Sequence, residues 1–468
     1  MSRINTNVAS LTAIQDLSAN QADLALHLQR LSTGLRINTA EDDPAGLIAS
    51  QQLRSEMAGI QAAINNSQRA GNVINTAEGS LSEVSSLLLQ VQALVSQAAN
   101  VGALSPSEIQ ANQLQVDSIL SSINRISDTT QFNGVTLLNG SLDYTTSGLS
   151  NSAISNSTIN LLKLPQNGAS TITVQVTGSA KLADIGFTAS GIGATPTTIE
   201  ITGNLGAQEL SFAASAQTSA IAVSINQLKT ETGVSATLSG SALRLSSLAY
   251  GSSQFVSVRT VNGTFNTTAT NAYGSDAIVS INGTIAHADG LTASLRQGET
   301  DITLNLTPAF AQQTGHTTSF YVTGGGALFQ LGAEVGSLDQ TRLGIGSVST
   351  DSLGNSVDGF LSSLGSGGAN SLIGGNLIAA QTIISDAISQ VSTLRGRLGA
   401  FESDVIQANT NSLSVALENV TASESDISDA DFATETSALT RAQILVQAGT
   451  SVLAQANAAP EAVLDLLK

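Results

Sequence analysis

The sequence predicts an α+β fold. Both ends of the chain should form a long antiparallel, coiled-coil helical bundle, and the middle should form a β-rich outer region that contains a small α+β module. In residues 1–145 and 346–468, apolar residues recur at steps of three and four, which is the spacing of one helix face. Residues 146–345 hold more than half of the 42 glycines and show short alternating runs, which are typical of strands and turns.

The N-terminal zone predicts long helices whose apolar faces need partners. A heptad-like seam runs from Leu53 to Ala98, and its register is expected to break where Ser67 and Gly71 fall. The first 131 residues contain no aromatic residue, so the seam must pack through aliphatic side chains. Each helix therefore leaves an apolar stripe that has to be buried against another helix.

Local signals place one helix start and the turn that follows the helix. Ser105-Pro106-Ser107-Glu108 combines a capping box with proline at the first helical position, which predicts a helix to about Asp128. Asn133-Gly134 is typical of a two-residue hairpin turn, and Asn139-Gly140 repeats the signal. We therefore expect hairpin-type turns directly after the helix.

The C-terminal zone (346–468) and the middle zone (146–345) can be interpreted in the same way. Apolar residues at helical spacing run from Ile384 to Val420 and again from Leu439 to Ala456. Pairing the two ends of the chain is the simplest way to bury the stripes. In the middle zone, residues 219–245 predict a short helix followed by a hairpin, which together form a small α+β unit.

Composition and charge exclude several classes of function. Lys and Arg total 17 against 35 Asp and Glu, and the net charge of −18 argues against nucleic acid or an anionic membrane as a partner. The chain has no Cys, and its three His residues stand far apart, so we expect no metal site. No catalytic constellation, phosphate loop or 18-residue apolar run is found, so we expect no enzymatic activity, no cofactor and no transmembrane helix.

Motifs at both ends of the chain resemble bacterial flagellin. They are long and occur in the family's order. The motifs are Ile4-Asn5-Thr6-Asn7, Leu31-Ser32-Thr33-Gly34-Leu35-Arg36-Ile37-Asn38, Asp42-Asp43-Pro44-Ala45-Gly46, Thr130-Gln131-Phe132-Asn133-Gly134, Leu439-Thr440-Arg441-Ala442-Gln443-Ile444-Leu445 and the run from Gln447 to Asn457. The resemblance covers roughly residues 1–145 and 340–468.

The resemblance implies a layered filament subunit. Its segments would be an N-terminal arm of the inner core (1–43), shell helices with a hairpin (44–145), a variable β-rich outer region (146–344), a C-terminal shell segment (345–425) and a C-terminal arm of the inner core (426–468). The arms would pair with each other, and so would the shell segments. The stretch 212–258 resembles an insertion module of some flagellins and hook-associated proteins.

The resemblance also implies which residues hold such a filament together. The apolar stripes of the two arms would form the inner-core interface, with Ile4, Val8, Leu11, Leu24, Leu28, Leu31, Leu35, Leu439, Leu445, Val452, Leu453, Leu464 and Leu467. A second set would pack the shell, with Leu53, Met57, Ile60, Ile64, Leu81, Leu88, Val95, Leu398 and Val405.

Function, location and partners follow from the same resemblance. The chain would polymerise helically into the flagellar filament, the propeller for swimming, after type III export through an uncleaved N-terminal signal. Its partners would be further copies of itself, an export chaperone on the C-terminal arm, and the filament cap and hook–filament junction proteins. O-linked glycans are expected on the central region. A hook–filament junction protein and an adhesin carried by the central region are the alternatives.

Two regions depart from the pattern of many flagellins. Glu41 and Asp426 stand where relatives commonly carry Lys and Arg, so the joint between the arms and the shell is acidic, including the cluster 424–435. The compensating cations are left open among Arg30, Arg36 and Arg54.

The second departure concerns the helical surface that activates the vertebrate Toll-like flagellin receptor, which corresponds to about 85–125 here. Activating relatives place an Arg at position 90 and an acidic residue near 115. This chain has Gln90 and Gln115 but retains Leu94, which predicts weak activation.

Overall fold

The computed structural model describes residues 6–100, 102, 104–165, 168–189, 191–240, 242–298, 300–355 and 357–465. Its α-helices are α1 (Val8–Thr33), α2 (Pro44–Ala98), α3 (Pro106–Thr129), α4 (Thr218–Gln227), α5 (Lys229–Thr232), α6 (Pro308–Ala311), α7 (Leu377–Ala400), α8 (Ala408–Ser428) and α9 (Phe432–Asp465). A 3₁₀ turn covers Leu361–Leu364, and a π-helical segment, Phe401–Gln407, joins α7 to α8.

The strands occupy the middle of the chain. They are β1 (Gln131–Phe132), β2 (Val135–Thr136), β3 (Tyr144–Ser147), β4 (Ile154–Leu162), β5 (Ser170–Gly178), β6 (Asp184–Phe187), β7 (Thr197–Gly203), β8 (Gly206–Phe212), β9 (Val234–Ser239), β10 (Ala242–Ser247), β11 (Phe255–Asn262), β12 (Asn271–Tyr273), β13 (Ile278–Ile281), β14 (Thr284–Asp289), β15 (Thr292–Gln297), β16 (Thr300–Leu306), β17 (Thr317–Gly325), β18 (Ala327–Gln330), β19 (Gln340–Leu343), β20 (Gly354–Asn355) and β21 (Gly359–Phe360). Helical ends around a β-rich middle confirm the predicted fold class.

The chain forms two compact units, and the division falls inside α2. The first unit contains Met1–Arg69, Gln330–Val335 and Ser403–Lys468, and the second contains Ala70–Phe329 and Gly336–Glu402. The division therefore comes later in α2 than the predicted segment boundary at residue 44.

The seam of α2 is continuous, contrary to the expected break. Ser67 is fully buried, Gly71 is also buried, and the helix passes through both without interruption. Gly71 lies close to the Glu402 side chain, since a Cβ at this position would be 3.8 Å from Glu402 Oε1, an ordinary van der Waals contact. The register change in the sequence is thus a change of side-chain size and not a helix end.

The capping box and the first hairpin are confirmed. The Ser105 side chain accepts a hydrogen bond from the Glu108 backbone N–H, the Glu108 carboxylate accepts one from Ser105, and α3 runs to Thr129. Asn133 and Gly134 adopt φ values of 50° and 83° between the paired strands β1 and β2, as a type I′ turn requires. Asn139-Gly140 was predicted to form a second such turn, but the next strand, β3, pairs with β17 instead.

One antiparallel sheet dominates the described part of the central region. Its strand order is β18-β19-β4-β16-β15-β14-β13-β5-β17-β3, so strands far apart in sequence become neighbours. For example, Ile159 on β4 lies opposite Ile302 on β16. One face of this sheet buries a first core that includes Val174 and Phe320.

A second core lies within the same unit and is wider than the expected module at 212–258. The predicted helix and hairpin correspond to α4 and to β9 with β10. The buried residues, however, extend from Ala183 to Phe265, because β6 joins β10 and a four-stranded sheet of order β12-β11-β7-β8 completes the core. Phe187 and Phe265 stack in this core with ring centroids 4.3 Å apart.

Candidate assembly interface

In the first unit, α1 and α9 pair in antiparallel fashion. The Asn7 side chain, which caps α1, donates from Nδ2 to the Ala456 carbonyl at 2.7 Å. At the other end of α1, the Ala430 backbone N–H donates to the Gly34 carbonyl at 2.9 Å. Gly34 ends the helix in the left-handed region, with a φ of 74°, where glycine carries no steric penalty.

Small residues bring the two helices together and leave larger ones outside. Ala13 and Ala442 are buried, and a Cβ at Gly449 would lie 3.3 Å from the Leu17 side chain. Close approach through small residues buries little apolar area. Among the described side chains of α1 and α9, the buried apolar ones are these two alanines.

The predicted inner-core residues consequently fall into three groups. Half or nearly half of the side chain is exposed at Val8, Leu11, Leu28, Leu445 and Val452. Half-buried positions are Leu24, Leu31, Leu35, Leu439 and Leu453. Ile4 and Leu467 lie outside the described residues, and the Leu464 side chain lies outside the described side chains. Their role as an interface between subunits stays a prediction.

Three further large apolar side chains on these two helices are exposed but do not belong to the predicted inner-core set. Ile14, Phe432 and Ile444 are exposed by 50%, 70% and 62% on α1 and α9. Ile14 belongs to the apolar pattern of α1, so helical spacing alone could have identified it. Together with the five exposed predicted residues, these three side chains form what we call the terminal stripe.

The predicted shell residues divide by burial. Ile60, Ile64, Leu81, Leu88, Val95 and Leu398 are buried, whereas Leu53, Met57 and Val405 are half-buried. In the second unit, α2 and α7 are also joined by a salt bridge, because Arg395 Nη2 lies 2.7 Å from Glu78 Oε1.

Arginines compensate the acidic joint. Arg54 Nε donates to Glu424 Oε1 at 2.7 Å, and the Ser50 hydroxyl donates to the same oxygen at 2.9 Å. Burial opposes ionisation of Glu424, but these hydrogen bonds outweigh it and hold the pKa of its carboxyl below the usual value. Arg36 Nη2 donates to the Ile427 backbone carbonyl at 2.7 Å.

A second carboxylate in the joint has two basic neighbours. Glu435 is buried, and its two carboxylate oxygens lie 2.5 Å from His27 Nδ1 and 3.2 Å from Arg30 Nη1. Arg30 also faces Asp42 at 3.5 Å. Glu435 is far from His27 in the sequence, so no local pattern predicts that the two side chains meet.

Comparison with known proteins identifies the family. Residues 4–143 match the bacterial flagellin N-terminal helical region, and residues 381–467 match the bacterial flagellin C-terminal helical region. The B-type flagellin of Pseudomonas aeruginosa is 30% identical, and the alignment covers 99% of each chain. The flagellin of Salmonella typhimurium gives the same identity and coverage.

The chain belongs to the bacterial flagellin family. It is a structural subunit of the flagellar filament, an extracellular appendage, and the full-length match to flagellins favours this function over a hook–filament junction protein. Among solved structures, FlgL from Xanthomonas campestris is 12% identical, with 78% of this chain and 98% of that chain covered and a TM-score of 0.28.

Two absences are found within the described part of this flagellin. No group of three or more His, Cys, Asp or Glu side chains there could hold a metal ion. No described helix has both the length and the apolarity to cross a membrane.

The three receptor-surface positions do not share one environment. Gln90 and Gln115 are exposed on α2 and α3. Leu94 is 8% exposed and therefore belongs to the core, so its retention reflects packing and offers a receptor little surface. The prediction of weak receptor activation consequently depends on Gln90 and Gln115 alone.

Proposed function

We propose that subunits of this flagellin polymerise through the terminal stripe of α1 and α9. The observation that carries this proposal is the exposure of large apolar side chains on a helix pair whose own contacts are made by small residues. Removing apolar surface from water contributes about 25 cal/mol per Å². Packing the stripe against neighbouring copies therefore supplies the driving force that the isolated pair lacks.

Electron microscopy of the purified chain tests this proposal. Under polymerising conditions the unmodified chain should form long filaments, and Val8→Ser with Val452→Ser should abolish them. Leu205→Ser is the matched control, because Leu205 is 62% exposed but lies between β7 and β8. Unimpaired filaments from the double variant would contradict the proposal. Failure of the unmodified chain to elongate would favour a junction role.

The same exposed residues support a role in export. Before assembly the C-terminal arm 426–468 presents Ile444, Leu445 and Val452 to water, and a cytoplasmic export chaperone would cover them. Export would use an uncleaved N-terminal signal through the type III channel. Deletion of residues 430–468 should abolish chaperone binding in a pull-down assay, and retained binding would contradict this role.

The outer strands are the expected site of O-linked glycans. Thr171 and Thr177 on β5 and Ser319 on β17, for example, are exposed side chains with hydroxyl groups. Intact mass of native filament protein above 47.4 kDa would agree with modification, and a mass equal to that of the unmodified chain would exclude it. Deleting residues 165–340 and measuring both swimming and surface attachment would separate motility from adhesion.

The remaining partners are flagellar. The filament cap and the hook–filament junction proteins would contact the first and last subunits of the polymer. A variant whose terminal stripe is altered should fail to elongate from isolated hook–junction fragments.

A further inference from the structure

A cleft of about 460 Å³, lined by both polar and apolar groups, opens in the second unit between β4 and α7. One wall is residues 156–160 of β4, and the other includes Ser389, Val391 and Arg397 of α7. Residues 344–354 contribute further lining along the chain that leads from β19. This volume lies within the range of about 300–1,000 Å³ that is typical of small-molecule sites.

A buried amide in this cleft lacks a partner. Asn160 is 5% exposed, and its backbone carbonyl accepts a hydrogen bond from the Gly344 N–H at 2.8 Å. Asn160 lines the cleft, and its side-chain amide makes no hydrogen bond to any residue in the described ranges. Because the amide opens toward the cleft, its donor and acceptor groups are free to hydrogen-bond a polar ligand.

One guanidinium in the cleft is placed to pair with an anion. Arg397 and Arg296 line the cleft together with Asp143, but Arg296 Nε lies 3.4 Å from Asp301 Oδ1, so the anion would pair with Arg397. Burial lowers the pKa of Arg397 to about 10, with Asp301 and Asp143 opposing the shift, so the guanidinium stays positive at neutral pH. Burial raises the pKa of the Asp143 carboxyl, and the Tyr144 backbone N–H and Arg397 oppose this shift.

The protein uses only part of the hydrogen-bonding capacity of the Arg397 guanidinium. Its Nη2 donates to the Gly344 carbonyl at 3.0 Å, which leaves further N–H groups of the guanidinium for a ligand. A guanidinium with free N–H groups pairs well with a carboxylate through charge-assisted hydrogen bonds.

Hydroxyl groups and an apolar floor complete the lining. Ser157, Thr303 and Thr393 present hydroxyls that hydrogen-bond no other residue within the described ranges. Val391 and Leu394 are buried and line the cleft as well, so one face of a ring could rest on them. This combination suits a ligand that carries one carboxylate, several hydroxyls and a carbon skeleton.

We propose that this cleft binds a small polyhydroxy carboxylate of the size of a hexuronic acid. Its carboxylate pairs with the Arg397 guanidinium, and its hydroxyls bond the Asn160 amide and the neighbouring hydroxyl side chains. The ligand would be a free acidic sugar or the terminal residue of an acidic glycan, which share this chemistry. The site is independent of the terminal stripe through which subunits polymerise.

Isothermal titration of the full-length monomeric chain with D-glucuronate tests the site. D-glucose is the matched neutral probe, and an oligosaccharide that ends in glucuronate distinguishes a glycan end from a free sugar. We expect saturable binding of glucuronate and at least about tenfold weaker binding of glucose, because the charge-assisted pair is missing. Arg397→Gln and Asn160→Ala should each weaken glucuronate binding by about tenfold or more.

The control is Arg259→Gln. Arg259 pairs with Glu200 on β7, outside the cleft, and its loss should leave binding unchanged. Thermal unfolding of each variant checks the fold. If both cleft variants unfold, Thr393→Val becomes the test of glucuronate binding. It removes one lining hydroxyl and leaves the Arg397 and Asn160 contacts in place. Absence of glucuronate binding, equal binding of glucose, or unchanged affinity in the folded cleft variants would overturn the proposal.

Discussion

Substituting an exposed and a buried leucine of this flagellin should distinguish the energetics of assembly from the energetics of folding. Leu11 on α1 is 62% exposed, whereas Leu81 on α2 is fully buried. Replacing each with alanine removes the same atoms from an α-helix. We expect Leu11→Ala to weaken polymerisation with little change in the free energy of unfolding of the monomer. Leu81→Ala should act in the opposite way, because its cost falls on the fold of the subunit.

The expected magnitudes follow from burial. Leu→Ala removes three carbon atoms, at about 0.8 kcal/mol each when they pass from water to a packed interface. In the monomer, 62% of the Leu11 side chain is exposed and would be buried on assembly. Leu11→Ala should therefore reduce the free energy of assembly by about 1.5 kcal/mol. That corresponds to about a tenfold rise in critical concentration. For Leu81, truncation in a packed core costs about 2–5 kcal/mol of unfolding free energy.

Two assays measure the two effects. Sedimentation of filaments at several subunit concentrations gives the critical concentration, and urea unfolding of the monomer gives its stability. Leu205→Ala serves as the control, since Leu205 has the same 62% exposure but lies outside the terminal stripe. If Leu11→Ala and Leu205→Ala raise the critical concentration equally, the stripe is not the interface and the reasoning fails.

Three further predictions concern charge, receptors and local stability. Burial opposes ionisation of Asp117, but hydrogen bonds from groups such as the Ser366 hydroxyl outweigh it and hold the pKa of the carboxyl below its usual value. The ionised carboxylate therefore stabilises the fold fully above about pH 4, and this contribution is lost as pH falls through the lowered pKa. Asp117→Asn should therefore flatten the acid limb of a plot of unfolding free energy against pH, and an unchanged limb would contradict this. The monomer should activate Toll-like receptor reporter cells weakly and Gln90→Arg should raise the signal, whereas strong activation by the unmodified chain would overturn the inference. Limited proteolysis should cut α1 and α9 of the monomer first, because the pair buries few apolar side chains, and should spare them in filaments; equal resistance in both states would argue against it.

Periodicity and local capping predicted most of the helical part of the fold. The capping box at Ser105 and the turn at Asn133-Gly134 were correct because their hydrogen bonds join residues only a few positions apart. The expected break at Ser67 was wrong, because burial of a small polar residue depends on what packs against it. The burial of Leu94, which is 8% exposed, likewise depends on tertiary packing that the sequence does not display.

The sequence by itself determined the family, the helical stripes and the lack of cysteine. These properties belong to residue types and to spacings of three or four positions, which a single chain segment displays without its partners. The ten-strand order, the second core, the pairing of Glu435 with His27 and Arg30, and the cleft beside Arg397 were decided only by the tertiary structure. Each of them joins residues from distant parts of the chain, and no local pattern records which distant segment a strand edge or a charged side chain will meet.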